Sequence, residues 1–143
     1  MADRTSSSIT IKAGKAEIMA VIADLEAYPE WTSGVRFEVG GTGDDGRASR
    51  ARMTISMGPI NDTVDLAYTW DGDTAVRWET VGAGAMISNL HGSYLLAEAG
   101  DGTEVTYELA VDLKVSMIGM VKRKAEKRII DSALKGLKRH VEG

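Results

Sequence analysis

The sequence predicts an α+β domain: an antiparallel sheet packed against one long C-terminal helix. Three observations carry that prediction. Residues 105–115 alternate strictly, with Val105, Tyr107, Leu109, Val111, Leu113 and Val115 apart from Thr106, Glu108, Ala110, Asp112 and Lys114, the period-2 pattern of a strand with one buried and one wet face. Residues 117–141 carry apolar side chains every three to four positions, as on a helix lying against something apolar. Upstream, shorter alternating segments follow one another across glycine- and aspartate-containing turns with no long helix between them, which excludes a parallel βαβ architecture.

The elements follow in order. Residues 6–12 form a first strand with Ile9 and Ile11 on one face. A helix runs from Gly14 or Lys15 to Leu25 with the stripe Ile18, Val21, Ile22 and Leu25, and Tyr28-Pro29-Glu30-Trp31 opens a second, short helical turn because proline is tolerated at a helix start. Strands over 35–39 and 48–57 make a hairpin around the loop 40–46. In the second of them Ala51, Met53, Ile55 and Met57 face one way, and Arg50, Arg52, Thr54 and Ser56 the other. Val64, Leu66, Tyr68 and Trp70 share the next strand face. Asp71-Gly72-Asp73 turns the chain into strand 75–81, with Val76 and Trp78 together. Strand 86–97 contains Gly92, which reads as a bend or bulge. Gly100-Asp101-Gly102 leads into the last strand. The 143 residues make one domain, 1–143, with no repeat or linker to divide it.

Composition narrows the function. The chain has no cysteine, which removes disulfides, thiolate chemistry and cysteine-ligated metal. Two histidines, His91 and His140, lack clustered partners, so no metal site and no cofactor are expected. No apolar run reaches membrane-spanning length, and the polar first eleven residues have no secretory character, so a cytoplasmic protein is expected. Gly41-Thr42-Gly43-Asp44-Asp45-Gly46 matches a dinucleotide fingerprint letter for letter. A strand follows it instead of a helix, and its two aspartates repel phosphate, so it reads as a hairpin loop. The net charge of −4 hides an asymmetry. Residues 117–141 hold eight basic residues against two acids, a balance of +6, and the rest of the chain sums to −10. The basic helix face is either solvated or a surface for anionic membrane; nucleic acid is not expected of an acidic domain with inward aromatics.

Asp24-Leu25-Glu26-Ala27-Tyr28-Pro29-Glu30-Trp31, Leu90-His91-Gly92-Ser93-Tyr94-Leu95-Leu96 and Gly102-Thr103-Glu104-Val105-Thr106-Tyr107 resemble the SRPBCC superfamily of START-like proteins. Within it, the chain is most similar to bacterial polyketide cyclase/dehydrase-like and coenzyme-Q-binding-like members, and to small actinobacterial proteins of undefined function. The resemblance runs over essentially the whole chain. It implies a helix-grip fold, a curved antiparallel sheet wrapped around the C-terminal helix, with a hydrophobic cavity that binds a lipid, quinone or polyketide. Most such members bind and a minority catalyse, so two functions stand: binding and transport of a small hydrophobic molecule, or an aromatase/cyclase or dehydratase. A protein-interaction module built on the basic helix is favoured if the interior is tightly filled. A dry void of ~300 Å³ would cost ~7 kcal/mol at ~24 cal/mol per Å³, against a total stability of ~5–15 kcal/mol, which suggests that a cavity of that size holds something.

The candidate lining follows from the strand faces. Tyr68, Trp70, Trp78, Tyr94 and Tyr107 either fill an ordinary core or wall a pocket for a flat ligand, with phenol hydroxyls as polar handles. Met53, Met57, Met86, Met117 and Met120 suit an adaptable wall. Leu66 and Leu109 share those faces, Ile130 stands on the apolar sector of the helix, and Trp31 sits on the short helical turn. Lys122 and Glu126, four residues apart, fall inside the apolar sector, either as an ion pair or polar contact facing the cavity mouth or as an i, i+4 pair that only supports the helix surface. No residue is singled out as catalytic; His91 lies in the register of the outer sheet face, and only a register flip at Gly92 would turn it inward.

Overall fold

The structure, a computed structural model, describes residues 4–57, 60–114 and 119–143, the side chains at 57 and 119–121 excepted. Strand β1 (Thr5–Ile11) is followed by helix α1 (Lys15–Ala23) and a 3-10 helix (Leu25–Glu30). Strands β2 (Val35–Thr42), β3 (Ala48–Met57), β4 (Ile60–Asp71), β5 (Ala75–Thr80), β6 (Ile87–Ala99) and β7 (Gly102–Leu113) precede helix α2 (Gly119–Glu142). The expected order of elements is therefore observed. Boundaries differ most at β4, which starts four residues early at Ile60.

The seven strands form one antiparallel sheet in the order β1-β7-β6-β5-β4-β3-β2. Strands β2 to β7 are a meander, each pairing with the next in chain order. The first strand is the exception: it crosses to the far edge, where Thr5 pairs with Leu109 and Ile11 with Thr103. The sheet curls around α2 in the helix-grip arrangement. Helix α2 presents Ile129, Ile130, Ala133, Leu134 and Leu137 to the concave face, all buried, as their spacing dictates. Each fully buried large apolar side chain of this kind contributes about 1.5–3 kcal/mol.

Two details seat the helix. Gly136 lets the α2 backbone meet the 3-10 segment; a Cβ there would stand 1.7 Å from the Trp31 carbonyl oxygen. Near the C-terminus, Lys138 Nζ donates to the Thr10 carbonyl at 2.8 Å and to Glu142 Oε2 at 2.7 Å, and Glu142 in turn accepts the Lys12 N–H at 2.9 Å. These contacts tie the end of α2 to the end of β1.

Gly92 is not a bulge. Its neighbours keep continuous register, His91 opposite Ala110 and Ser93 opposite Glu108; the irregularity of β6 lies at Ile87–Asn89 instead. The physical reason for glycine is steric. Gly92 faces Trp78 across the β5–β6 pair, and a Cβ on it would lie 2.3 Å from the indole ring. The indole lies where a side chain would otherwise stand. His91 consequently stays on the outer face, exposed, with Nε2 2.7 Å from Asn89 Nδ2 and Nδ1 4.0 Å from Glu79.

Candidate functional site

The space between the concave sheet and α2 is walled by every layer of the fold. Met53 and Ile55 come from β3, Tyr68 from β4, Trp78 from β5, Leu90 and Tyr94 from β6, and Tyr107 and Leu109 from β7; Ile129 and Ala133 cover it from α2. Tyr28, Thr32, Ser33, Val35 and Phe37 close one end. Alternation explains the set. Residues two apart on a strand share a face, and the curvature of the sheet turns those faces toward one centre.

The chamber measures about 30 Å³, room for one or two water molecules. That is far below the ~300 Å³ at which an empty cavity would be costly. At ~24 cal/mol per Å³, a void of this size costs only ~0.7 kcal/mol, so stability alone does not require an occupant. What fills the volume is an aromatic cluster. Trp78 packs against Tyr94, Tyr107 and Tyr68 with ring centroids 5.5, 5.7 and 5.9 Å apart, and Tyr94 lies 4.6 Å from Tyr107. Tyr28 joins from the 3-10 helix, 4.8 Å edge-on to Phe37 and 4.5 Å from Trp31. Such offset and edge-to-face contacts are worth about 0.5–1.5 kcal/mol each beyond burial.

All four tyrosines of the chain meet here. The Tyr28 hydroxyl donates to the Ile22 carbonyl at 2.6 Å. The hydroxyls of Tyr68, Tyr94 and Tyr107 have no hydrogen-bond partner among the described residues. Burial raises all four phenols above their ordinary pKa, and the neighbouring tyrosines raise Tyr28, Tyr68 and Tyr94 further. They are neutral hydroxyl groups across the physiological range. No carboxylate, imidazole or amine stands among the described lining residues. The site can therefore exclude water, stack on flat groups and donate neutral hydrogen bonds.

Of the residues singled out in the sequence, Met53, Tyr68, Trp78, Tyr94, Tyr107 and Leu109 come together at the chamber. Leu66 and Ile130 are fully buried in the core beside it. Trp31 is buried against Tyr28 and Gly136, its indole N–H without a partner among the described residues. Trp70 stacks on Tyr68 at 5.8 Å but is held at the β2–β3 loop, where Nε1 donates to the Ala48 carbonyl at 2.7 Å and the Arg47 guanidinium lies 5.2 Å from its ring. Met86 is half-buried in the β5–β6 connection, away from the lining. Met117 and the side chains of Met57 and Met120 lie outside the described residues.

Lys122 and Glu126 pair at 3.8 Å, yet neither lines the chamber. Glu126 is fully buried and turns toward the sheet edge, accepting from Thr5 Oγ1 at 2.7 Å and from the Val111 N–H at 2.8 Å. Among the described residues β1 pairs with β7 as far as Thr5–Leu109, and the Val111 N–H beyond that pair finds its acceptor in Glu126. Several lining residues were not singled out in the sequence. Ile129 and Ala133 stand at helical spacing on the apolar side of α2, and Val35 and Phe37 two apart on β2, so periodicity could have found them. Thr32 and Ser33 sit in a connection without periodicity and left no signal. Among the described residues, no group of three or more histidines and carboxylates is placed to hold a metal ion. No helix is long and apolar enough to cross a membrane among those residues either.

A family model described as polyketide cyclase / dehydrase and lipid transport matches residues 2–142. No curated protein matches the chain. Among solved structures, a START superfamily protein from Mycobacterium smegmatis superposes with a TM-score of 0.87 at 20% identity, covering 97% of each chain. The Zhui aromatase/cyclase from Streptomyces sp. R1128 superposes with a TM-score of 0.80 at 10% identity, covering 99% of this chain and 94% of that one. A protein from Thermus thermophilus gives 0.79 at 20% identity, over 98% of this chain and 97% of that one. At these identities the structural likeness establishes the fold.

Proposed function

Because the chain belongs to the polyketide cyclase / dehydrase and lipid transport family, we propose that it binds a small hydrophobic molecule, and delivers it, through the chamber under α2. The observation that carries this reading is the set of phenol hydroxyls at Tyr68, Tyr94 and Tyr107, groups of the chamber wall without partners among the described residues. Among the described residues the sealed side-chain polar atom without a partner is Trp31 Nε1; the three hydroxyls instead border open volume, so they suit water in the empty form and the oxygen atoms of a ligand in the loaded one. The aromatic rings give such a ligand flat surfaces to stack on. A chamber of about 30 Å³ admits it only as the rings part, since ligand sites of drug size occupy about 300–1,000 Å³. Lipids, quinones and polyketide-like molecules fit this chemistry.

An enzyme of the aromatase/cyclase type needs a group that moves protons at neutral pH, and the lining offers phenols raised above their ordinary pKa by burial. That balance favours binding over catalysis; a chamber filled to about 30 Å³ also supports the protein-interaction module on the basic helix, the reading left if no apolar probe enters. Titration with N-phenyl-1-naphthylamine, an uncharged dye that fluoresces on entering apolar surroundings, tests the reading. Saturable one-to-one binding, lost in Ala133→Phe at the chamber wall, is the expected result. No saturable binding, or binding indifferent to that substitution, would remove the chamber as the site.

The basic face of α2 supports a second reading, transient docking on anionic membrane to load or release the cargo. Lys124, Arg128, Lys135 and Arg139 are exposed there with no ion-pair partner among the described residues. Flotation with phosphatidylglycerol vesicles but not with phosphatidylcholine vesicles is expected; equal behaviour on both would dismiss it.

A further inference from the structure

Thr32 and Ser33 line the chamber, and they also line a second recess of about 540 Å³ between residues 29–33 and the C-terminal half of α2. The far wall of this recess carries Ser132, Lys135 and Arg139. Ser132 Oγ lies 3.2 Å from Thr32 Oγ1, so hydroxyl groups span the junction between chamber and recess. Lys124, Arg128, Ser132, Lys135 and Arg139 follow one another at spacings of four, four, three and four residues, a single stripe along the helix. Their neighbours are neutralised: Lys127 pairs with Asp131 at 2.8 Å and Lys138 with Glu142 at 2.7 Å. The cations of the stripe have no such partner among the described residues. Glu30 is the acid on the recess wall.

We propose that the cargo is an anionic amphiphile, its apolar body in the chamber and its head group, a phosphate, sulfonate or carboxylate, held at the mouth by Lys135 and Arg139 with the hydroxyls of Thr32, Ser33 and Ser132. This rests on the chamber reading above and adds the charge. A charged group inside a chamber lined by neutral phenols and hydrocarbon would go uncompensated. At the mouth, the same group meets cations and hydroxyl donors, the arrangement that gives charge-assisted hydrogen bonds. The shape of the site favours a single head group over a membrane plane. The recess is walled by the 3-10 segment on one side and α2 on the other, with Gly136 bringing the two backbones into contact.

A matched pair of probes separates head from body. The dye 8-anilinonaphthalene-1-sulfonate has the skeleton of N-phenyl-1-naphthylamine plus one sulfonate. We expect the sulfonate dye to bind at least tenfold more tightly at low salt. The advantage should disappear in Lys135→Gln/Arg139→Gln and shrink in 0.5 M sodium chloride, while the uncharged dye binds the variant as it binds the wild type. Equal affinity for the two dyes, or an advantage that survives the double substitution, overturns the head-group proposal and leaves the chamber reading standing. If the uncharged dye does not bind at all, both fall. If the variant loses flotation with phosphatidylglycerol vesicles yet keeps the sulfonate advantage, the cations serve a membrane surface and the proposal is overturned.

Discussion

Gly92→Ala is the sharpest test of how the chamber is built. An added Cβ would lie 2.3 Å from the Trp78 ring, whereas carbon atoms rest at about 3.5–4.0 Å, so the indole must retreat by more than about 1 Å. It has little room. Tyr68, Tyr94 and Tyr107 surround it with centroids 5.5–5.9 Å away, and the open volume beyond is about 30 Å³. Overpacking of a filled core costs about 1–3 kcal/mol, and we expect about 2, which lowers the Tm by about 4–8 °C in a domain of this size. Urea unfolding followed by tryptophan fluorescence and by far-ultraviolet circular dichroism gives the number. Trp78→Leu removes the opposing ring, so the double variant should cost at least about 1 kcal/mol less than the sum of the singles. Strict additivity, or a neutral Gly92→Ala, would refute the close approach of glycine and indole as the reason for this residue.

Further outcomes follow from other contacts. Glu126→Gln weakens the acceptor that holds Thr5 and Val111 and should lower stability by about 1–3 kcal/mol, with unchanged affinity for N-phenyl-1-naphthylamine, measured by denaturation and titration side by side. Tyr94→Phe/Tyr107→Phe removes hydroxyls without protein partners; stability should move by less than about 1 kcal/mol, while binding of menadione, a flat diketone, should weaken about 5–10-fold by tryptophan quenching. Asp62 accepts the N–H groups of Thr63, Ala85, Met86 and Ile87 at 2.8–3.0 Å. Burial raises its pKa, but these four bonds outweigh that and hold it below the ordinary value. The folded state therefore binds this proton less readily than the unfolded chain does. Its contribution is present above the unfolded pKa and is lost as pH falls through the lowered one. Asp62→Asn should be the less stable protein at pH 7, with the two melting curves converging toward pH 3.

Periodicity made the sheet and α2 readable, because burial on one face leaves a two-residue or a three-to-four-residue signature that survives any detail of packing. The same patterns placed Tyr68, Trp78, Tyr94 and Tyr107 on one wall. They could not say how far the walls stand apart. That distance is set by ring-on-ring contacts and by Gly92, whose reason is an indole fourteen residues earlier in the chain. Glu126 illustrates a different limit. Its position inside the apolar sector was visible on the helical wheel, but its partners were not, because Thr5 and the Val111 N–H meet it only once β1 lies beside β7. Thr32 and Ser33 matter through where they stand between two hollows, a property without any sequence period.

The pairing of β1 with β7 has a consequence for synthesis. The first strand leaves the ribosome about ninety residues before the strand it must join, which at about 5–20 residues per second amounts to roughly 5–20 s without its partner. Through that wait the nascent chain displays Thr5-Ser6-Ser7-Ser8-Ile9-Thr10-Ile11, a stretch dominated by hydroxyl side chains. Such a segment offers little hydrophobic surface for other unfinished chains to seize. The edge strand whose partner is made last is also one with little apolar surface to hide until then.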